Sequence, residues 1–137
     1  MEKKDNFDEL PHIILMVSDN QIDTRKIERK LMDVTTMNTR FFSSTSVKDA
    51  LGHIVERKLA VDVIILDLRL RGVSDPLQLC RDMVTSAAGI PVMALDSDVD
   101  DGREMELAVK AAGAADYLSR NRFDELFIRL NKLIHHR

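Results

Sequence analysis

The sequence predicts an α/β domain, a five-stranded parallel sheet doubly wound with five helices. Three observations predict it. Short apolar runs alternate with longer amphipathic segments from residue 11 onward. The apolar runs are nearly continuous, which suits strands buried on both faces of a parallel sheet. The connections are short, so each strand–helix–strand unit closes as a right-handed crossover.

The strands are expected at His12–Val17, Thr39–Ser44, Val61–Leu66, Ile90–Leu95 and Ala115–Ser119, with Thr39–Ser44 at an edge. The first helix, about Asp23 to Asp33, should bury Ile27, Leu31 and Met32. In the second, Val47, Ala50, Leu51, Ile54 and Val55 fall on one face, and Ser46 caps it with Asp49 three residues on. In the third, Leu77, Cys80 and Val84 share a face, and Pro76 takes the first helical position. In the fourth, Met105, Ala108, Val109 and Ala112 repeat the pattern, and Gly113 closes it as a C-cap. Phe123, Leu126, Phe127, Leu130 and Ile134 define the fifth. A five-strand fold of this kind takes the flavodoxin-like order 2-1-3-4-5, with its site at the carboxyl ends of the central strands.

Bulk properties narrow the class. The chain has 137 residues, 45% hydrophobic and 31% charged, which fits one globular domain. A net charge of −3 gives no basic footprint for nucleic acid. One cysteine, Cys80, excludes an internal disulfide, and on an apolar helix face it reads as inert core. No run approaches the length of a membrane helix, and the charged first residues lack an apolar signal region. A cytoplasmic protein is the expectation, with residues 1–10 a flexible lead-in and residues 11–137 the domain.

The residues just past the central strands are chemically distinctive. Strand one ends at Ser18-Asp19-Asn20, strand three at Asp67, strand four at Asp96-Ser97 and strand five at Ser119-Arg120. Carboxylates with an arginine form a site for a hard divalent cation and a phosphoryl group. No loop reads as a P-loop or a dinucleotide fingerprint. Asp96-Ser-Asp-Val-Asp-Asp-Gly102 misses the EF-hand pattern, because glycine falls seventh and Leu107 stands twelfth. It reads as an acidic, solvated loop. His135-His136 at a chain end would bind metal weakly alone.

Ile64-Ile-Leu-Asp-Leu-Arg-Leu70, Ile90-Pro-Val-Met-Ala-Leu95 and Gly113-Ala-Ala-Asp-Tyr-Leu-Ser-Arg120 resemble, in that order, three signatures of response-regulator receiver domains of two-component systems. The resemblance covers residues 11–134. It implies that Asp67 accepts a phosphoryl group from a histidine kinase or phosphotransfer protein. Asp19, Asp67 and the backbone carbonyl of Arg69 would hold Mg²⁺, whose charge offsets that of the transferring group. Tyr117 stands at the aromatic switch position. A signalling face of the fourth helix, fifth strand and fifth helix, including the surroundings of Lys110 and Arg129, would serve a homodimer or a fused or separate output domain. No nucleic acid, membrane or enzymatic activity is implied.

The sequence departs from that pattern at several positions. Ser18 replaces the first of two acids, with Asn20 as a neutral neighbour. Asp96 stands where a hydroxyl residue contacts the phosphoryl group, with Ser97 next to it. Arg120 replaces a lysine, Asn121 a proline, and the loop after Asp67 is one residue longer, with Arg71 where proline is common. A phosphoryl group carries about −1.5 to −2 charges. A carboxylate about 5 Å away repels each unit charge by roughly 3 kcal/mol at an effective dielectric near 20. A degenerate pseudo-receiver acting as a phosphorylation-independent interaction module is therefore the competing expectation, with Arg120 bridging Asp67 and Asp96. A small enzyme or flavin carrier on the same fold is disfavoured, because Ser-Asp-Asn-Gln after strand one makes a poor phosphate-binding loop.

Overall fold

In the computed structural model, residues 11–33, 38–97 and 102–135 are described. The lead-in expected at residues 1–10, most of the acidic loop before Gly102, and His136 lie outside them. The order is β1 (His12–Val17), α1 (Gln21–Met32), β2 (Thr39–Ser44), α2 (Val47–Leu51), β3 (Val63–Asp67), α3 (Pro76–Ala87), β4 (Val92–Asp96), α4 (Gly102–Ala111), β5 (Asp116–Ser119) and α5 (Leu126–His135). The strands form one parallel sheet in the order β2-β1-β3-β4-β5. This is the predicted 2-1-3-4-5 topology, and β2 is an edge strand as expected.

Alternation along the strands divides the core into two layers. Leu15, Val17, Ile64, Leu66, Val92, Ala94 and Tyr117 face a layer that includes Ala50 of α2, Cys80 and Met83 of α3 and Val109 of α4. Ile14, Met16, Val63, Ile65, Met93, Leu95 and Leu118 face Ile27 and Leu31 of α1 and Leu126, Leu130 and Ile134 of α5. This period of two carries past the strand ends and decides which charged residues can meet.

Local signals account for most boundaries. Ser46 accepts from the Asp49 amide at 3.1 Å, as an N-cap should. Asp75 caps α3 through the Leu77 and Gln78 amides, ahead of Pro76. Gly113 ends α4 at φ +109°, where a Cβ would sit 2.8 Å from Val84 Cγ1, so glycine is required there.

Several expectations shift. Strand β4 begins at Val92 rather than Ile90, because Pro91 has no N–H to enter the ladder. Strand β3 starts at Val63 and includes Asp67. The end of α2 widens into a π-helical turn over Gly52–Glu56, which rotates Val55 out to 62% exposure. Met32 is half exposed, since α1 buries only the stripe of Thr24, Ile27 and Leu31 with Asp23. The fifth helix is preceded by a 3₁₀ segment over Arg120–Glu125, whose Phe123 is buried. Gln21, rather than Asp23, opens α1 behind the cap of Asn20.

Candidate functional site

The strand order reverses between β1 and β3, and the candidate site lies at their carboxyl ends, where such folds place ligands. Val17 pairs with Leu66, so Ser18 comes alongside Asp67. Asp67 pairs with Leu95, and Asp96 pairs with Ser119, which precedes Arg120. An open cleft of about 760 Å³ lies over these ends, lined by Asp19, Asn20, Asp67, Arg69, Arg71, Ser97 and Arg120 among others. Of the sequence-predicted residues, Asp19, Asn20, Asp67, Arg69, Ser97 and Arg120 thus meet in one cleft.

Asp67 is buried. Its Oδ1 accepts from the Arg69 amide at 2.8 Å, and its Oδ2 from the Ser18 hydroxyl at 2.7 Å. Arg120 Nη2 stands 3.2 Å from the same Oδ2. The Nε of Arg120 reaches Asp23 of α1 at 2.5 Å. Burial alone would lower the Arg120 pKa. The hydrogen bond to Asp23 and the charges of Asp67 and Asp23 more than offset this, and the guanidinium is held above its ordinary range.

A second centre is built on Asp96, which is fully buried. Its Oδ1 accepts from Arg69 Nε at 2.8 Å and from the Ser97 amide at 2.8 Å. Its Oδ2 accepts from the Tyr117 hydroxyl at 2.9 Å. Tyr117 pairs with Ala94, two residues before Asp96 on the same face of the sheet. Burial first, then the hydrogen bond to Asp96 and its charge, push the Tyr117 phenol well above its ordinary pKa.

The expected Arg120 bridge between Asp67 and Asp96 is therefore not formed. Asp67 shares the α1/α5 face with Ile65, whereas Asp96 shares the α2–α4 face with Ala94. Arg120 reaches the first layer and pairs with Asp67 and Asp23, while Arg69 supplies the cation for Asp96. Nor is Asp96 part of a solvated loop: it is the last residue of β4.

Asp19 Oδ2 accepts from the Arg71 amide at 2.9 Å, which fastens the longer loop after β3 to the end of β1. The Asn20 side chain accepts from the Asp23 amide, and its own amide donates to Ser18 Oγ. Asn121 Oδ1 accepts from the Ser119 hydroxyl at 2.6 Å, and no cis peptide bond occurs among the described residues.

The donor set fits a divalent cation poorly. Three of the four carboxylate oxygens of Asp19 and Asp67 already accept from protein groups. Among the described residues no three acidic, histidine or cysteine side chains cluster to hold a metal.

Two working side chains carry no signal of their role in the sequence. Asp23 reads there only as an acid at the start of α1, though an acid three residues after a capping Asn20 lies over the same strand ends. Arg69 was expected to contribute only its carbonyl. Elsewhere, Lys110 and Arg129 are held in ion pairs with Glu106, Asp116 and Glu125 of the same chain. His135 packs edge-on against His12. Cys80 is buried, which raises its thiol pKa. Among the described residues no helix is long and apolar enough to cross a membrane.

No family model and no curated protein matches the chain. Solved structures do. A response regulator from Thermotoga maritima superposes with a TM-score of 0.74 at 21% identity, covering 92% of this chain and 99% of that one. The receiver domain of NtrX from Brucella abortus gives 0.72 at 22% identity over 89% and 98%. The BeF3-activated DrrB receiver domain gives 0.71 at 23% identity over 92% and 99%. With five parallel strands in the order 2-1-3-4-5 and a cleft at the β1–β3 switch point, the chain has the flavodoxin-like fold of response-regulator receiver domains.

Proposed function

We propose that the chain is a receiver-type signalling domain that works through protein contacts, with its Asp67 centre held by internal partners rather than set by phosphorylation. One observation carries this reading: both oxygens of the Asp67 carboxylate are engaged by Ser18, the Arg69 amide and Arg120. A carboxylate so held is a weak nucleophile, because each donor stabilises the ionised ground state and must be displaced or reoriented as the charge moves to phosphorus. The second centre supports the same reading. Asp96, at the hydroxyl position, already draws the Tyr117 hydroxyl inward.

Phosphoryl transfer to Asp67 from a histidine kinase or phosphotransfer protein is the second reading. It is favoured by the open cleft that reaches Asp67 and by Arg69, which offsets the charge of Asp96. Mg²⁺, a homodimer and a fused or separate output domain belong to that reading. Titration with Mg²⁺ and a beryllofluoride phosphate mimic separates the two, followed by amide NMR shifts at Asp67, Ser97 and Tyr117. The first reading predicts no saturable shifts. Saturable shifts at all three residues support the second.

A further inference from the structure

The cleft over the strand ends holds polar groups that the Asp67 and Asp96 centres leave unused. Arg69 commits its Nε to Asp96, yet its side chain stays 42% exposed, and among the described residues its two Nη groups have no partner. Arg71 gives its amide to Asp19, while its exposed guanidinium is in no ion pair among the described residues. On the acceptor side, Asp19 Oδ2 takes that amide, and Asp19 Oδ1 accepts from none of the described residues. Ile22, 80% exposed, lines the same cleft. One cleft therefore offers guanidinium donors, a carboxylate oxygen and an apolar contact, all without partners in the chain.

The charge of the cleft selects among ligands. Asp67 and Asp23 share Arg120, and Asp96 pairs with Arg69. With Asp19 and Arg71 added, acids outnumber guanidinia by one, a formal charge of −1. A phosphate or a dicarboxylate would bring more charge of the same sign to these acids. A bare cation would leave the guanidinium donors unused. A zwitterion adds no net charge and engages both sets of groups, its carboxylate matching the planar guanidinium forks.

We propose that the cleft binds a free α-amino acid with an apolar side chain. Arg69 and Arg71 take its carboxylate, Asp19 Oδ1 takes its ammonium group, and Ile22 meets its side chain. The volume of about 760 Å³ falls within the roughly 300–1,000 Å³ usual for small-molecule sites. The inference rests on the reading that the chain itself holds the Asp67 centre, since a metal there would claim Asp19. A bound amino acid would tie the loop after β3, through Arg69 and Arg71, to the end of β1 and the start of α1. Ligand concentration could then set the surface that the domain offers to protein partners.

The test is titration of the full chain with L-leucine, followed by amide NMR shifts at Asp19, Ile22 and Arg71. Two fragments of the same skeleton serve as probes: 4-methylpentanoate, which lacks the amine, and 3-methylbutylamine, which lacks the carboxylate. Leucine should give saturable shifts, and each fragment should bind about tenfold more weakly or worse. Arg71→Gln and Asp19→Asn should each weaken leucine by a similar factor; the asparagine keeps an oxygen for the Arg71 amide. Ile22→Ser should weaken leucine but leave glycine unchanged. Lys132→Glu, an exposed charge change on α5, should leave leucine binding as it is. Far-UV circular dichroism checks that each variant folds. Absence of saturable leucine binding overturns the proposal, as does equal binding of either fragment or equal loss with Lys132→Glu. Mg²⁺ with beryllofluoride on the same sample separates the two ways to fail. Silence towards leucine and beryllofluoride alike overturns the amino-acid site alone. Saturable beryllofluoride binding without leucine binding overturns the reading of the Asp67 centre with it.

Discussion

The Ser18 hydroxyl donates to Oδ2 of Asp67 over 2.7 Å, between two buried residues. In the sequence Ser18 is a missing acid. In the fold it is a donor, and it turns a place of like-charge repulsion into a place of attraction. Restoring the acid should therefore destabilise the domain. Ser18→Asp removes the hydrogen bond and sets two carboxylates together, at an expected cost of about 2–3 kcal/mol without metal. Added Mg²⁺ should recover part of it. Urea unfolding with and without Mg²⁺ measures both, and unchanged stability without metal would count against the role of Ser18.

Arg120 is the cation that Asp67 and Asp23 share. Arg120→Ala leaves both carboxylates buried without it, and the expected loss is about 3 kcal/mol. Arg120→Lys keeps the charge but not the fork that reaches two carboxylates at once, so it should fall between wild type and alanine. Equal stability of all three proteins in urea unfolding would refute the shared pairing.

Tyr117 is the only tyrosine of the chain, and there is no tryptophan, so the absorbance of tyrosinate reports this residue alone. Its folded pKa is raised by burial and by Asp96. The folded state thus keeps a proton that the unfolded state releases once pH passes the ordinary value of 10.0. Stability from this group is fully present below that pH and falls as pH rises above it. Folded protein should show little tyrosinate at pH values where the urea-unfolded chain is ionised. Asp96→Asn should move the folded titration part of the way back, since burial remains. Coincident folded and unfolded titration curves would contradict the buried bond.

Tyr117→Phe tests the same bond from the other side. It leaves Asp96 Oδ2 without its hydroxyl donor in a fully buried position, at an expected cost of about 2 kcal/mol. Thermal unfolding at neutral pH checks it. A stabilised variant would mean that Asp96 is satisfied without Tyr117.

The apolar runs made the sheet legible in the sequence, because strands buried on both faces must be nearly all apolar. The convergence of Asp19, Asp67 and Arg120 is legible too, since it follows from strand order alone. What sequence did not disclose was the pairing of charges. Arg120 and Arg69 are chemically equivalent candidates for Asp96, and only the alternation of side chains across β3 and β4 separates them. Asp23 escaped because a residue on α1 reaches the site through helix packing, which no local pattern encodes. Val55 and Met32 are exposed against the helical pattern for a related reason: a helical period locates a face, but a π turn or the edge of a stripe changes which residues that face contains.

The central claim is that the Asp67 centre is held by its own chain and does not depend on phosphorylation. Intact mass spectrometry after incubation with acetyl phosphate and Mg²⁺ tests it most directly. Unmodified protein is the predicted result, with Ser18→Asp/Asp96→Thr/Arg120→Lys gaining a phosphoryl adduct that Asp67→Asn abolishes. Full conversion of the wild-type chain to an adduct on Asp67 would contradict it.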